Sequence, residues 1–198
     1  MAEDVGHLPD VLRTGSLVLR RHQVEDAEAI ASAIAESMDE LRPWMPWVSE
    51  DALDPEYQRK RLADDAPRWG RHGHEATYVI EQAGSPRFLG LCGIQDRGTP
   101  DARELGYWLR TSATGRGHAT AAVRVLTETA LTLPGVRRVE IRCDASNGRS
   151  AGVAERCGYR FDRTEPYEPQ APGHTGTFMV WVYEPAGSGR GRRSSGRR

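Results

Sequence analysis

The stretch Glu104–Leu131 constrains this chain most, because its period changes from two residues to 3.6 across a pair of glycines. Leu105, Tyr107 and Leu109 alternate with Glu104, Gly106 and Trp108, as a strand requires. Gly115 and Gly117 follow, and then Ala119, Ala122, Val123, Leu126 and Ala130 form one apolar helical stripe. Strand, glycine loop and helix in that order leave backbone N–H groups unpaired at a helix N-terminus, where the helix dipole is positive. Residues 115–120 thus form a site for phosphate, and the glycines let the backbone approach it closely. A Walker loop is excluded, because the only lysine is Lys60, far from the glycines. A dinucleotide fingerprint is excluded as well, since Thr120 stands where its third glycine belongs.

The loop Ser112-Ala113-Thr114-Gly115-Arg116-Gly117 resembles motif A of the GNAT superfamily of acyl-CoA-dependent N-acetyltransferases, Gln/Arg-x-x-Gly-x-Gly/Ala, with Ser112 in the place of Gln or Arg. The flanks Glu104-Leu-Gly-Tyr-Trp-Leu109 and Gly117-His-Ala-Thr-Ala-Ala122 are similar to the RimJ/RimL branch, which acts on ribosomal-protein N-termini. Downstream, Asn147-Gly-Arg-Ser150 and Glu155-Arg-Cys-Gly158-Tyr159 resemble that branch's Asn-x-x-Ser and Glu-Lys-x-Gly-Phe. The resemblance covers roughly Thr14–Glu184. It implies an α/β (α+β layered) GNAT fold: a mixed, mostly antiparallel sheet flanked by helices, splayed between its fourth and fifth strands, Glu104–Arg110 and Arg138–Cys143.

The pattern along the chain agrees with that order. Met1–Thr14 reads as a loose lead-in, Leu17–Arg21 as the first strand and Glu25–Ser37 as a helix with Ala27, Ile30, Ala31 and Ile34 on one face. Asp54-Pro55 supplies N-cap and first position of a second helix running towards Trp69-Gly70. Thr77–Gln82 and Phe88–Gln95 read as a strand pair around Gly84-Ser-Pro. Val139, Ile141 and Cys143 mark the fifth strand, Asn147–Cys157 a short helix, and Tyr159–Glu165 with Thr177–Glu184 a final pair. The expected domain spans 1–185, followed by a Gly/Ser/Arg tail, 186–198, whose composition predicts disorder.

The resemblance assigns roles. It places the pantetheine arm of acetyl-CoA, the acyl-donor co-substrate, along the backbone of Trp108, Leu109 and Arg110, and the pyrophosphate at Gly115, Arg116, Gly117, His118, Ala119 and Thr120. Asn147 caps its helix and touches the arm, and Ser150 protonates the departing thiolate. The base is Glu168 or Glu104, each of which also reads as a plain solvated acid. Trp44 and Trp47, in the proline-broken connector Leu41–Val48, either wall the acceptor side or close the core. His72-Gly-His74 lacks a third ligand and reads as polar loop, so no metal is expected.

Removing the five arginines of Ala186–Arg198 from the net charge of −1 leaves −6 for Met1–Pro185. An acidic body suits a cationic acceptor, or simply solubility. Nucleic acid is not expected on the body. No apolar run approaches a membrane span and the N-terminus carries no signal-like segment. Cys92, Cys143 and Cys157 sit in apolar surroundings as reduced thiols, which with those absences predicts a cytoplasmic enzyme. The acceptor is a small-molecule amine or a peptide, including a ribosomal-protein N-terminus, and a homodimer is among the assemblies allowed. Transfer of a larger acyl group such as succinyl, or CoA binding without catalysis, remain the alternatives.

Overall fold

The described residues form eight strands and five α-helices, of which one strand and one four-residue helix are not announced by the sequence. The computed structural model describes residues 8–70 and 75–185; His72, His74, the first seven residues and the tail 186–198 lie outside them. In chain order the elements are β1 (Val11–Thr14), β2 (Leu17–Arg21), α1 (Ala27–Glu36), α2 (Met38–Leu41), α3 (Pro55–Asp65), β3 (Ala76–Gln82), β4 (Ser85–Gln95), β5 (Ala102–Leu109), α4 (His118–Leu131), β6 (Arg138–Asp144), α5 (Gly148–Arg156), β7 (Arg160–Pro166) and β8 (Thr177–Tyr183). The added strand is β1, which pairs antiparallel with β2 from Val11↔Arg20 to Thr14↔Leu17. Its side chains are exposed or half-buried, so it lacks the apolar alternation that marks the others. α3 begins as expected, with the Asp54 carboxylate accepting from the Glu56 N–H at 2.9 Å and Pro55 in the first turn. It stops at Asp65, and a 3₁₀ turn, Ala66–Arg68, carries the chain on.

The strands form one sheet in the order β1-β2-β3-β4-β5-β6-β8-β7. Every neighbouring pair is antiparallel except β5–β6. The β5–β6 ladder is parallel and short, running only through Ala102↔Arg138, Arg103↔Val139 and Glu104↔Glu140. Past Glu104 the two strands diverge, while β5 keeps β4 on its other side to Leu109. Leu105–Leu109 therefore present an edge with no partner strand among the described residues.

Each face of the sheet buries one apolar layer. α4 and α5 set Ala122, Val123, Leu126, Ala130, Ala151 and Ala154 against Leu105, Val139, Ile141 and Cys143. Leu126 has no exposed surface, and burying such a side chain is worth about 1.5–3 kcal/mol. On the other face α1 and α3 set Ile30, Ile34 and Leu62 against Val79, Phe88, Leu91 and Trp108. Alternation along β5 thus sends Tyr107 towards α4 and α5, and Glu104 and Trp108 towards α1. The splay lies where the two layers meet.

Candidate active site

Between β5 and α4 the chain makes a 3₁₀ turn, Thr111–Ala113, and then two left-handed residues, Gly115 (φ 73°) and Gly117 (φ 79°). Gly117 is the N-cap of α4 and, lacking a side chain, caps nothing. No side chain or carbonyl among the described residues takes up the amides of residues 115–120, which lie exposed or half-exposed. A run of free amides at the start of a 14-residue helix is an anion cradle. Burial and then the neighbouring Arg116 push the imidazole pKa of His118 down. Arg116 is exposed beside the cradle.

The cradle is held from behind. The Arg110 guanidinium pairs with Glu36 at the end of α1, Nε donating at 2.8 Å, and the Ser112 N–H donates to the same carboxylate at 2.9 Å. Those bonds, the one from Arg110 first, hold the Glu36 carboxyl down at about 2. Thr111 N–H donates to Ser37 Oγ at 2.9 Å. The side chain of Arg110 is thus tied to α1, which leaves its backbone, the part expected at the donor, bordering the open edge. Ser112, at the motif's first position, accepts from Arg87 at 3.3 Å.

A cavity of about 720 Å³ opens beside the splay. It gathers Trp44, Trp47, Glu104, Trp108, Asn147, Ser150 and Glu168 from far-apart segments. Leu109, Arg110 and the glycine loop are not among its lining residues; they lie at the end of β5 and the start of α4. The register explains the floor. Leu91↔Trp108, Gly93↔Gly106 and Gln95↔Glu104 are successive same-face pairs, so two glycines lie side by side between a tryptophan row and a carboxylate row. Trp108 is largely buried, its ring 5.8 Å from Trp47 and 5.9 Å from Phe88. Trp47 is 42% exposed, so the same pair both closes the core and lines the mouth.

Glu104 lines the cavity from β5, with its side chain 13% exposed. Desolvation raises its pKa, against the pull of Arg97 and Arg142, each 3.3 Å away. Arg142 is shared, also reaching Glu140 at 3.1 Å and Glu165 at 3.0 Å. Glu168 is exposed, on the loop between β7 and β8.

Across the cavity, Asn147 caps α5 by accepting from the Ser150 N–H at 3.1 Å. Ser150 Oγ lies 2.9 Å from the Tyr107 hydroxyl. Burial pushes the Tyr107 phenol far up, so it stays protonated and can donate to the serine. Sequence reading treats Tyr107 only as a strand residue. Its inward place follows from alternation, but its nearness to Ser150 is set by how α5 docks.

Asp144 also escapes the sequence reading. Its carboxylate accepts from Ser146, from the Thr175 N–H at 2.7 Å and from the Tyr167 hydroxyl at 2.8 Å. Burial alone would raise the carboxyl, but these bonds outweigh it and hold it well below the usual range. Asp144 so pins the β7–β8 loop, and Gly173 N–H donates to the Pro43 carbonyl at 3.0 Å on the far side. His174 Nε2 lies 3.0 Å from the Trp44 carbonyl. The loop therefore spans the cavity from β6 to the Trp44 connector.

Residues 16–160 match the acetyltransferase (GNAT) domain family, and the chain belongs to that family. YdaF of Bacillus subtilis (strain 168), provisionally named a ribosomal N-acetyltransferase, is 27% identical over 72% of this chain and 77% of its own length. RimJ of Mycobacterium smegmatis, solved with CoA-disulfide, is similar in fold at a TM-score of 0.76 and 24% identity, covering 86% of this chain and 83% of that one. RimL, a ribosomal L7/L12 α-N-protein acetyltransferase solved with CoA, also superimposes at 0.76, with 20% identity over 89% and 97% of the two chains. Among the described residues no group of His, Cys, Asp and Glu could hold a metal, and no helix is long and apolar enough to cross a membrane.

Proposed function

We propose that the protein moves the acetyl group of acetyl-CoA to a primary amine by direct attack, both substrates being bound together. The observation that carries this is the cavity itself, which has a carboxylate on the α1 face and a tyrosine-backed serine on the α5 face of one splayed strand. The donor's chemistry suits the residues present. Its diphosphate meets the free amides of Gly115–Thr120, its amide-bearing arm meets the unpaired edge Leu105–Leu109, and its thioester supplies the activated acyl group.

The chain's own groups then divide the work. Glu104 takes the proton that the acceptor ammonium must lose, directly or through water. Its raised pKa brings it nearer to neutral pH, where a base is most effective. Glu168, exposed on the loop, serves to attract a cationic acceptor. A backbone N–H near Leu109 polarises the thioester carbonyl. Ser150 gives its proton to the departing sulfur, and the Tyr107 hydroxyl holds Ser150 Oγ so that the serine hydrogen is free to turn there.

Trp44 and Trp47 wall the acceptor side. The acceptor is a peptide N-terminus or a small amine; the ribosomal names of YdaF and RimL favour the peptide. Thiol release from acetyl-CoA, measured with peptides and small amines, tests the proposal. CoA binding without release to any amine would make this a CoA-binding module instead.

A further inference from the structure

Gly106 lies in the middle of β5, where a glycine weakens a strand by adding backbone entropy and packing nothing. Some glycines in such places are forced by the close approach of another backbone. Gly93 beside it is one, since a Cβ there would lie 2.7 Å from the Ala76 carbonyl oxygen. Gly106 is not forced: its φ is outside the left-handed region, and an added Cβ would meet only Gln95 Nε2, at 3.8 Å. No helix atom lies within 4 Å of that Cβ. The fold would accept alanine, so the bare Cα serves the space above it.

That space belongs to the acceptor half of the cavity. Gly106 shares its face with Glu104 and Trp108, whereas Tyr107 and Ser150 come from the opposite side. Resting on the acyltransfer reading above, we infer that Gly106 sets the size of the amine acceptor: its missing side chain is the slot for the amine-bearing carbon and its first substituent. The acceptors admitted are primary amines unhindered at that carbon. The Glu104 carboxylate flanks the slot on one side, in reach of the amine, and the Trp108 ring flanks it on the other.

The test compares wild type with Gly106→Ala and Gly106→Val on tetrapeptides beginning with Gly, Ala and Leu and on a straight-chain alkylamine. A methyl group in a filled slot discriminates by roughly tenfold or more. Gly106→Ala should raise the KM of Ala- and Leu-initiated peptides by that factor, and that of the Gly-initiated peptide less. Calorimetric CoA affinity should stay within twofold and the melting temperature should be unchanged or higher. Equal KM changes across the panel, or none, overturn the inference. So does a loss confined to acetyl-CoA, or an altered preference for acetyl over propionyl donor, because the slot would then hold the acyl group. A wild type that binds CoA but acetylates no amine overturns the acyltransfer reading beneath it instead.

Discussion

Replacing Gly117 by valine isolates the anion cradle. No atom lies within 4 Å of a Cβ built there, so valine collides with nothing in the protein. Its cost is conformational. A φ of 79° is unfavourable by ~1–2 kcal/mol for a residue with a Cβ, and branching adds to this. The backbone relieves the strain by rotating out of the left-handed region, which turns the following amides away from their common target. Hydrogen bonds to a charged group contribute ~1.5–3 kcal/mol each, so misdirecting two of them removes ~3–6 kcal/mol of CoA binding, on the order of 10²- to 10⁴-fold in Kd. Calorimetric titration of CoA reads this directly, with circular dichroism as the control for folding. Gly135→Val is the matched control, because Gly135 has φ 77°, equally open surroundings and a place beyond the far end of α4. It should show the same strain in its melting temperature and none in CoA affinity. Wild-type affinity in a folded Gly117→Val protein would refute the cradle.

Ser150→Ala should lower kcat by ~10²-fold with little change in the KM for acetyl-CoA. Tyr107→Phe should cost less, and nothing further in the Ser150→Ala background; additive losses would show that the tyrosine acts on its own. For Glu104, kcat/KM should climb with pH through an inflection above the ~4.3 of an ordinary glutamate, because burial raises this carboxyl. Glu104→Gln should remove that limb and cost ~10²-fold, and an unchanged profile would pass the role of base to another group. Asp144 has a folded pKa below its unfolded value, so its contribution to stability is present above the unfolded pKa of ~3.9 and is lost as pH falls through the range below it. Asp144→Asn should therefore destabilise by about 2–4 kcal/mol at neutral pH and much less in acid, read by denaturant titration at both. It should also raise the acceptor KM by freeing the loop.

The periodic elements were legible in the sequence because their apolar spacing is dictated by burial. The α1 face at Ala27, Ile30, Ala31 and Ile34 is buried as its spacing requires. The Asp54-Pro55 start of α3 is local chemistry and equally visible. β1 escaped because a strand with exposed and half-buried side chains carries no alternation, and its pairing with β2 is stabilised by main-chain bonds that any sequence can make. In the site, Ser150 and the glycine loop belong to contiguous motifs and could be named in advance. Tyr107 and Asp144 could not, because their partners lie 43 and 31 residues away and meet them only after the sheet has formed. Arg110 shows the converse: its position on the strand was readable, but its ion pair reaches back 74 residues to Glu36.

The short parallel ladder has a mechanical consequence. Strands β1–β5 and strands β6–β8–β7 meet through three residue pairs, with Arg142 reaching across to Glu104. A sheet joined over so short a seam is two plates on a hinge. A linear molecule that hydrogen-bonds along the edge at Leu105–Leu109 while its diphosphate grips α4 acts as a rivet across that hinge. At a hundred times Kd such a rivet stabilises the native state by ~2.7 kcal/mol by mass action. Because α4 packs on both plates, the protection from hydrogen exchange should appear in β6 and β8 as well as at the glycine loop.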